Sequence, residues 1–283
     1  MGTIIDGKAI AAQVREQAAL RVSQIIASGG RLPKLAVMLV GEDPRSAVYV
    51  RNKQRACENA GMLFELAKLP AETKQEALEA QIEAWDRDPT VDGILVQLPL
   101  PRGFHQTPVI ERIAADKDVD GLTTASLKKM YDNRPGLQPA TPRGIMKICE
   151  VLGVAPEGRR VVICGRGELV GRPLAMMMTN ANATVTLCHS HTQHLKDITR
   201  QADILVTAIG KSRFFDSSYI REGAVVIDAG INVDAAGKLS GDCDWQEMQE
   251  KAGAVTPVPG GVGPMTIALL LDNVLFAYDH HEE

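Results

Sequence analysis

Between Asp6 and Ser28, the residues Ile10, Val14, Ala18 and Val22 recur every four positions, which places them on one helix face, and Gly29-Gly30 ends the pattern. The apolar run Leu35 to Val40 reads as a buried strand. Gly41-Glu42-Asp43-Pro44 then turns the chain into a second helix, with Ser46 as the expected cap and Gly61 as the stop. Phe64 to Leu69 alternates apolar and polar positions as a half-exposed strand does, and Thr73 with Glu76 forms a capping-box pattern that opens a helix to about Trp85. Gly93 to Leu98 predicts a buried strand broken by Pro99 and Pro101. Gln97 is thereby set near the carboxyl edge, where open α/β sheets bind ligands. The stretch from Lys117 through Asn133-Arg134-Pro135-Gly136 is polar and poor in helical pattern, and Thr141-Pro142 opens a helix that ends near Gly153.

A second set of apolar runs follows at Val161 to Cys164, Ala183 to Cys188, Ile204 to Ala208 and Val225 to Asp228, separated by helical lengths. This spacing predicts a Rossmann-like βαβ series. The expected fold is therefore α/β with two domains. Residues 1–138 plus 265–283 form an N-terminal α/β domain and residues 139–264 a Rossmann-like nucleotide-binding domain. The last helix, about Pro264 to Tyr278, packs back on the first domain.

Composition narrows the function classes. In 283 residues, 45% apolar and 23% charged with a net charge of −4, there is room for two cores and no basic excess for nucleic acid. No stretch reads as the 18 or so apolar residues of a membrane span, and the start lacks a signal-peptide core, so a cytoplasmic location is expected. Cys57, Cys149, Cys164, Cys188 and Cys243 are odd in number and scattered, which predicts reduced core thiols. Cys188, His189, His191 and His194 sit at a strand end where consecutive residues point to opposite faces, and no partner cluster is visible elsewhere, so no metal site is expected.

Candidate chemistry sits at a few positions. Tyr49 and Lys53 are four apart and share a helix face. A lysine near a helix start, partly buried, is expected to have a lowered pKa and to accept a proton near neutrality; the alternative is a packed tyrosine and a lysine reaching into water. Gly165-Arg166-Gly167, with Gly171 four residues on, opens a helix after a strand, which suits phosphate. The next strand ends Cys188-His189-Ser190-His191 with no carboxylate to repel a 2′-phosphate, and Arg166 and Ser190 can bind one, so NADP is the expected cofactor. Pro257 to Thr266 carries three prolines and three glycines, a tight path that suits an interdomain turn, a wall along a planar ligand, or both.

Four of these stretches, in this order, resemble the bifunctional methylenetetrahydrofolate dehydrogenase/cyclohydrolase family. They are Tyr49-x-x-x-Lys53, Gly93-Ile-Leu-Val-Gln97-Leu-Pro-Leu-Pro101, Lys117-Asp-Val-Asp120-Gly121 and Pro259-Gly-Gly-Val-Gly-Pro-Met-Thr266. The resemblance implies a homodimer paired through its cofactor domains. It also implies NADP-dependent oxidation of 5,10-methylenetetrahydrofolate and hydrolysis of the methenyl product to 10-formyltetrahydrofolate. By position, Lys53 is then the catalytic lysine, Gln97 its partner, Tyr49 the ring that stacks on the aminobenzoyl group and Asp120 the pterin anchor. Leu98, Pro259, Gly260 and Gly261 contribute to the folate site; Gly165, Arg166, Gly167, Ser190 and Ile231 hold the cofactor. Gly167 stands where the family commonly has Ser, His191 where it has Arg or Lys, and Leu122-Thr123-Thr124 where it often has Phe-His-Pro. These departures leave open a cyclohydrolase with weak or NAD-preferring dehydrogenase activity. A non-catalytic folate- or nucleotide-binding protein is the remaining alternative.

Overall fold

The structure is a computed structural model that describes residues 1–233 and 237–281; positions 234–236 of the expected second domain and 282–283 of the last segment lie outside the described residues. Its strands are β1 (Thr3–Ile4), β2 (Lys34–Val40), β3 (Leu63–Leu69), β4 (Gly93–Val96), β5 (Arg160–Cys164), β6 (Thr184–Cys188), β7 (Ile204–Thr207), β8 (Val225–Asp228), β9 (Asn232–Val233), β10 (Leu239–Ser240) and β11 (Ala254–Val255). Its α-helices are α1 (Gly7–Ala27), α2 (Pro44–Asn59), α3 (Gln75–Arg87), α4 (Gln106–Ile110), α5 (Thr124–Tyr131), α6 (Ala140–Val151), α7 (Gly171–Asn180), α8 (Leu195–Thr199), α9 (Trp245–Met248) and α10 (Val262–His281). The chain divides into two compact units, one of Ala12–Ala140 with Ile267–Glu283 and one of Met1–Ala11 with Thr141–Thr266.

In the first of these units a parallel sheet runs β3-β2-β4. Central β2 is buried on both faces, which is why its sequence is a continuous apolar run, whereas edge β3 keeps a half-exposed alternation. Leu78, Ile82 and Trp85 of α3 pack with Met38, Ile94 and Val96 of the sheet. The apolar burial of α10 includes Leu270, Leu271 and Val274. By length and apolar content α10 would reach across a bilayer, contrary to the sequence expectation, but most of it is buried in protein. Its apolar run serves a core.

The other unit holds a parallel sheet in the order β1-β11-β8-β7-β5-β6. The chain leaves β5 for β6 on one side and returns to β7 on the other, so the strand order reverses at β5/β7, the place where such sheets receive ligands. Leu205, Phe215, Val226 and Val255 lie in its core. Residues 1–11 belong here and not with the first domain, because Thr3 and Ile4 pair with Ala254 and Val255.

Several local expectations are corrected. Asp43, not Ser46, caps α2, its carboxylate accepting from Ser46 N at 2.8 Å, while Pro44 takes the first helical position. Proline has no amide to satisfy there, which moves the cap one residue upstream of it. Thr73 makes no cap; α3 starts at Gln75 with Lys74 at its N-cap and no capping side chain. The strand expected to reach Leu98 stops at Val96. The polar region after Lys117 contains α5, capped by the Thr123 side chain, with only Ser126 and Met130 buried, too few apolar positions to show a helical period.

Candidate active site

Lys53 lies mid-way along α2, with Gly61 at φ +79° two residues beyond the helix end. It is too far from the amino end for the helix dipole to act on it strongly. Burial is what lowers its pKa, opposed by the attraction of Asp120 and, less, Cys57. Its Nζ donates to Gln97 Oε1 at 2.9 Å. Gln97 is itself fixed: its amide N donates to Met38 O at 2.9 Å and its Nε2 to Leu98 O at 2.8 Å. The carboxamide oxygen is thereby turned to the lysine. Cys57, one turn further along α2, is buried and its thiol is pushed up to about 12, so it stays protonated beside the amine.

Asp120 completes this group, and burial raises its pKa while the Lys53 charge lowers it. Its segment is anchored on both sides. Lys117 Nζ donates to the carbonyls of Trp85, Asp86 and Asp88 at 3.1, 2.9 and 2.8 Å, closing the end of α3. Asp118 is fully buried and accepts from Thr123 N at 2.8 Å. Gly121 has φ +65°, and a Cβ there would sit 2.5 Å from the Gln138 carbonyl carbon, so the Asp-Gly turn requires glycine. From α10, Asn273 Nδ2 donates to Val119 O at 2.7 Å and Gln138 O at 2.8 Å. Tyr49 is 41% exposed, one helical turn before Lys53, and its ring is open to a planar partner.

In the six-stranded unit, residues 166–172 with Ala208, Gly210, Ala229, Gly230 and Ile231 line a cavity of about 580 Å³. Two glycines make its cradle. A Cβ on Gly165, at φ +119°, would lie 2.1 Å from Ala208 O, and one on Gly171 would lie 1.9 Å from Gly165 O. No side chain caps the amino end of α7, which leaves that positive end to an anion. A nucleotide's phosphates fit this lining. Arg166, Gly167 and Ile231 line the cavity, and Gly165 lies against Ala208 and Gly171 of its lining. A Cβ on Gly167 meets nothing within 4 Å, so no steric need fixes glycine there. Ser190 is not among the lining residues. Sequence reasoning missed Ala208, Gly210, Ala229 and Gly230, although small residues directly after β7 and β8 were the available signal.

Pro259, Gly260 and Gly261 form a turn in this same unit, with Gly260 at φ +112°. The start of α1 rests against it: a Cβ on Gly7 would lie 1.9 Å from Gly261 O. Among the described residues no group of three or more His, Cys, Asp or Glu side chains is arranged to hold a metal ion.

Comparison with known proteins assigns both halves of the chain to one family. Residues 5–120 match the family model for the tetrahydrofolate dehydrogenase/cyclohydrolase catalytic domain, and residues 139–282 match the model for its NAD(P)-binding domain. A Bordetella bronchiseptica relative named Bifunctional protein FolD is 51% identical over 274 residues, 97% of this chain and 96% of its own. The solved structure of bifunctional FolD, a methylenetetrahydrofolate dehydrogenase/cyclohydrolase from Campylobacter jejuni, matches with a TM-score of 0.96 at 40% identity over 99% of this chain and 100% of that one. That of the Trypanosoma brucei enzyme, complexed with NADP cofactor and inhibitor, matches with a TM-score of 0.94 at 33% identity over 99% and 98%. The chain belongs to the tetrahydrofolate dehydrogenase/cyclohydrolase family.

Proposed function

We propose that this chain oxidises 5,10-methylenetetrahydrofolate to the 5,10-methenyl cation and then adds water to that cation to give 10-formyltetrahydrofolate. The observation that carries this reading is the desolvated Lys53 amine held at 2.9 Å by a Gln97 side chain whose other end is tied to Leu98 O. When bound, NADP supplies the two-electron acceptor of the first step. The residues around 166–172 and Ile231 suit its phosphates and ribose, and no carboxylate follows β6 to repel a 2′-phosphate.

The first step leaves a positive charge spread over two nitrogens, and an ammonium beside it would oppose its formation. A lysine whose burial favours the neutral form avoids that repulsion. In the second step the water oxygen bonds to the one-carbon centre, Lys53 Nζ takes a water proton, and the bond from that carbon to N5 breaks as N5 is protonated; one proton is released overall. Gln97 keeps the amine aimed. Asp120 suits the paired N–H donors of a pterin edge, which supply the hydrogen bonds that favour the ionised form of a buried carboxylate. Tyr49 provides the stacking face.

Replacing Lys53 by Ala tests the reading. Hydrolysis of added methenyltetrahydrofolate, followed by loss of its absorbance, is expected to fall at least about 100-fold while circular dichroism stays unchanged. Undiminished hydrolysis rejects the role of Lys53. Reduction of NADP and of NAD, assayed separately, distinguishes the bifunctional enzyme from a cyclohydrolase with an NAD-preferring dehydrogenase. A homodimer through the nucleotide-binding unit is part of the proposal, supported by the exposed apolar Val233 and Leu239 of β9 and β10. So is a cytoplasmic location, which suits five unpaired, buried cysteines.

A further inference from the structure

Beneath the nucleotide cavity lie two carboxylates that do not line it, Asp228 and Asp242, exposed by 1% and 0%. Asp242 gathers the loop after β7. Its Oδ2 accepts from Ile209 N at 2.5 Å and Gly210 N at 3.1 Å, and its Oδ1 accepts from Lys211 N at 2.8 Å. Three successive amides turned into one concavity make an anion-binding nest, and here the protein's own carboxylate fills it. The same Oδ1 accepts from Asn232 Nδ2 at 3.0 Å, tying in the segment after β8. Gly230 lies against this carboxylate so closely that a Cβ would be 2.2 Å from Asp242 Cγ.

Asp228 in turn seats Asp242. Its Oδ1 accepts from Asp242 N at 3.1 Å, Gly230 N at 2.9 Å and Thr207 Oγ1 at 3.0 Å, and its Oδ2 accepts from Cys243 N at 2.8 Å. The pair therefore joins the loop after β7, the loop after β8 and residues 241–243. Gly210 and Gly230, which these bonds hold directly, line the cavity, as do Ala208, Ala229 and Ile231, each next in sequence to a bonded residue.

We propose that Asp242 is a positioning residue for the dehydrogenase step, fixing both loops in the shape that receives the nicotinamide cofactor before the cofactor arrives. This rests on the functional reading above. Asp242 bonds the loops past the strand ends and none of the ladder pairs of β7 and β8, so its loss should loosen the wall and leave the sheet.

The test compares wild type with Asp242→Asn, which keeps the shape but turns an amide group toward backbone N–H donors. Three quantities are measured: NADP affinity by calorimetry, the KM for NADP and kcat of oxidation, and hydrolysis of added methenyltetrahydrofolate, which consumes no nucleotide. Expected are at least a tenfold weaker NADP affinity and a tenfold higher KM, with kcat at saturation within threefold and hydrolysis within twofold of wild type. Unchanged NADP affinity overturns the proposal. So does a parallel loss of binding and hydrolysis, which marks a merely structural residue. If Asp242→Asn does not accumulate as folded protein, Asn232→Ala decides: it removes one of the contacts and should raise the KM at least threefold with hydrolysis unchanged, and an unaltered KM overturns the proposal. Wild type that binds NADP without oxidising the folate would instead sink the dehydrogenase reading, leaving the effect of Asp242 on affinity to be read from the calorimetry.

Discussion

Exchanging Gln97 for Glu changes one atom group and tests the demand for an uncharged amine. The structure puts the accepting oxygen 2.9 Å from Lys53 Nζ. A carboxylate there would attract an ammonium by about 6 kcal/mol at an effective dielectric of about 20. Both groups are half-buried and not sealed from water, so solvent screening reduces this to about 2–3 kcal/mol. At about 1.4 kcal/mol per decade, the ammonium form then persists about two pH units further into the alkaline range than in wild type. Burial favours the neutral amine in wild type, and the new charge opposes it. The rate–pH profile of methenyl hydrolysis should shift upward by about two pH units, with a fall approaching about 100-fold on its acidic limb. Oxidation of methylenetetrahydrofolate should survive better, because the added carboxylate offsets the ammonium beside the developing cation. Hydrolysis at the wild-type rate with an unmoved pH profile would refute the general-base role, since the lysine would then be working as a cation.

Two further outcomes follow from buried polar groups. Burial raises the Asp228 carboxyl from 3.8 to about 6, so the folded chain holds its proton more tightly than the unfolded one. Its contribution to stability is present below about pH 4 and is lost as pH rises to about 6, a change of about 3 kcal/mol, so urea unfolding at pH 4.5 and 7.0 should show wild type losing ground to Asp228→Asn as pH rises; a constant difference between the two proteins counts against the burial argument. Replacing Asn273 by Leu strips Val119 O and Gln138 O of donors at 2.7 and 2.8 Å, which should cost about 2–4 kcal/mol in urea unfolding and raise the folate KM severalfold, because Val119 adjoins Asp120; unchanged stability and KM would show those carbonyls to be otherwise satisfied.

The strands that could be read from the residues are those whose burial leaves a pattern of its own, the half-exposed alternation of β3 among them. β2, β4, β5, β7 and β8 are flanked or covered so fully that their apolar runs are unbroken. β1 and β11 are two residues each, and nothing local marks them. Thr3 finds Ala254 only once the sheet exists, so no local pattern ties residues 1–11 to the six-stranded unit. The spacing of Tyr49 and Lys53 was legible because a helix repeats every 3.6 residues. The cause of the lysine's perturbation was not, because burial depends on which elements close around α2.

Acidic residues pose the same difficulty in stronger form. In sequence, Asp242 sits in Gly-Asp-Cys-Asp, a stretch that reads as a solvated turn, and Asp228 ends a strand as any loop-entry acid does. Their role emerges only from the amides that the parallel order β8-β7-β5 brings to one sheet edge. Lys53, Gln97 and Asp120 belong to one compact unit, whereas Asp228, Asp242 and the nucleotide cavity belong to the other. Each set takes its hydrogen bonds from within its own unit, so the proton chemistry of hydrolysis and the seating of the nicotinamide cofactor rest on separate contacts. This is why a carboxylate beneath the cavity can be altered with the hydrolytic lysine as an internal control, and why loss of a single activity is more informative here than loss of both.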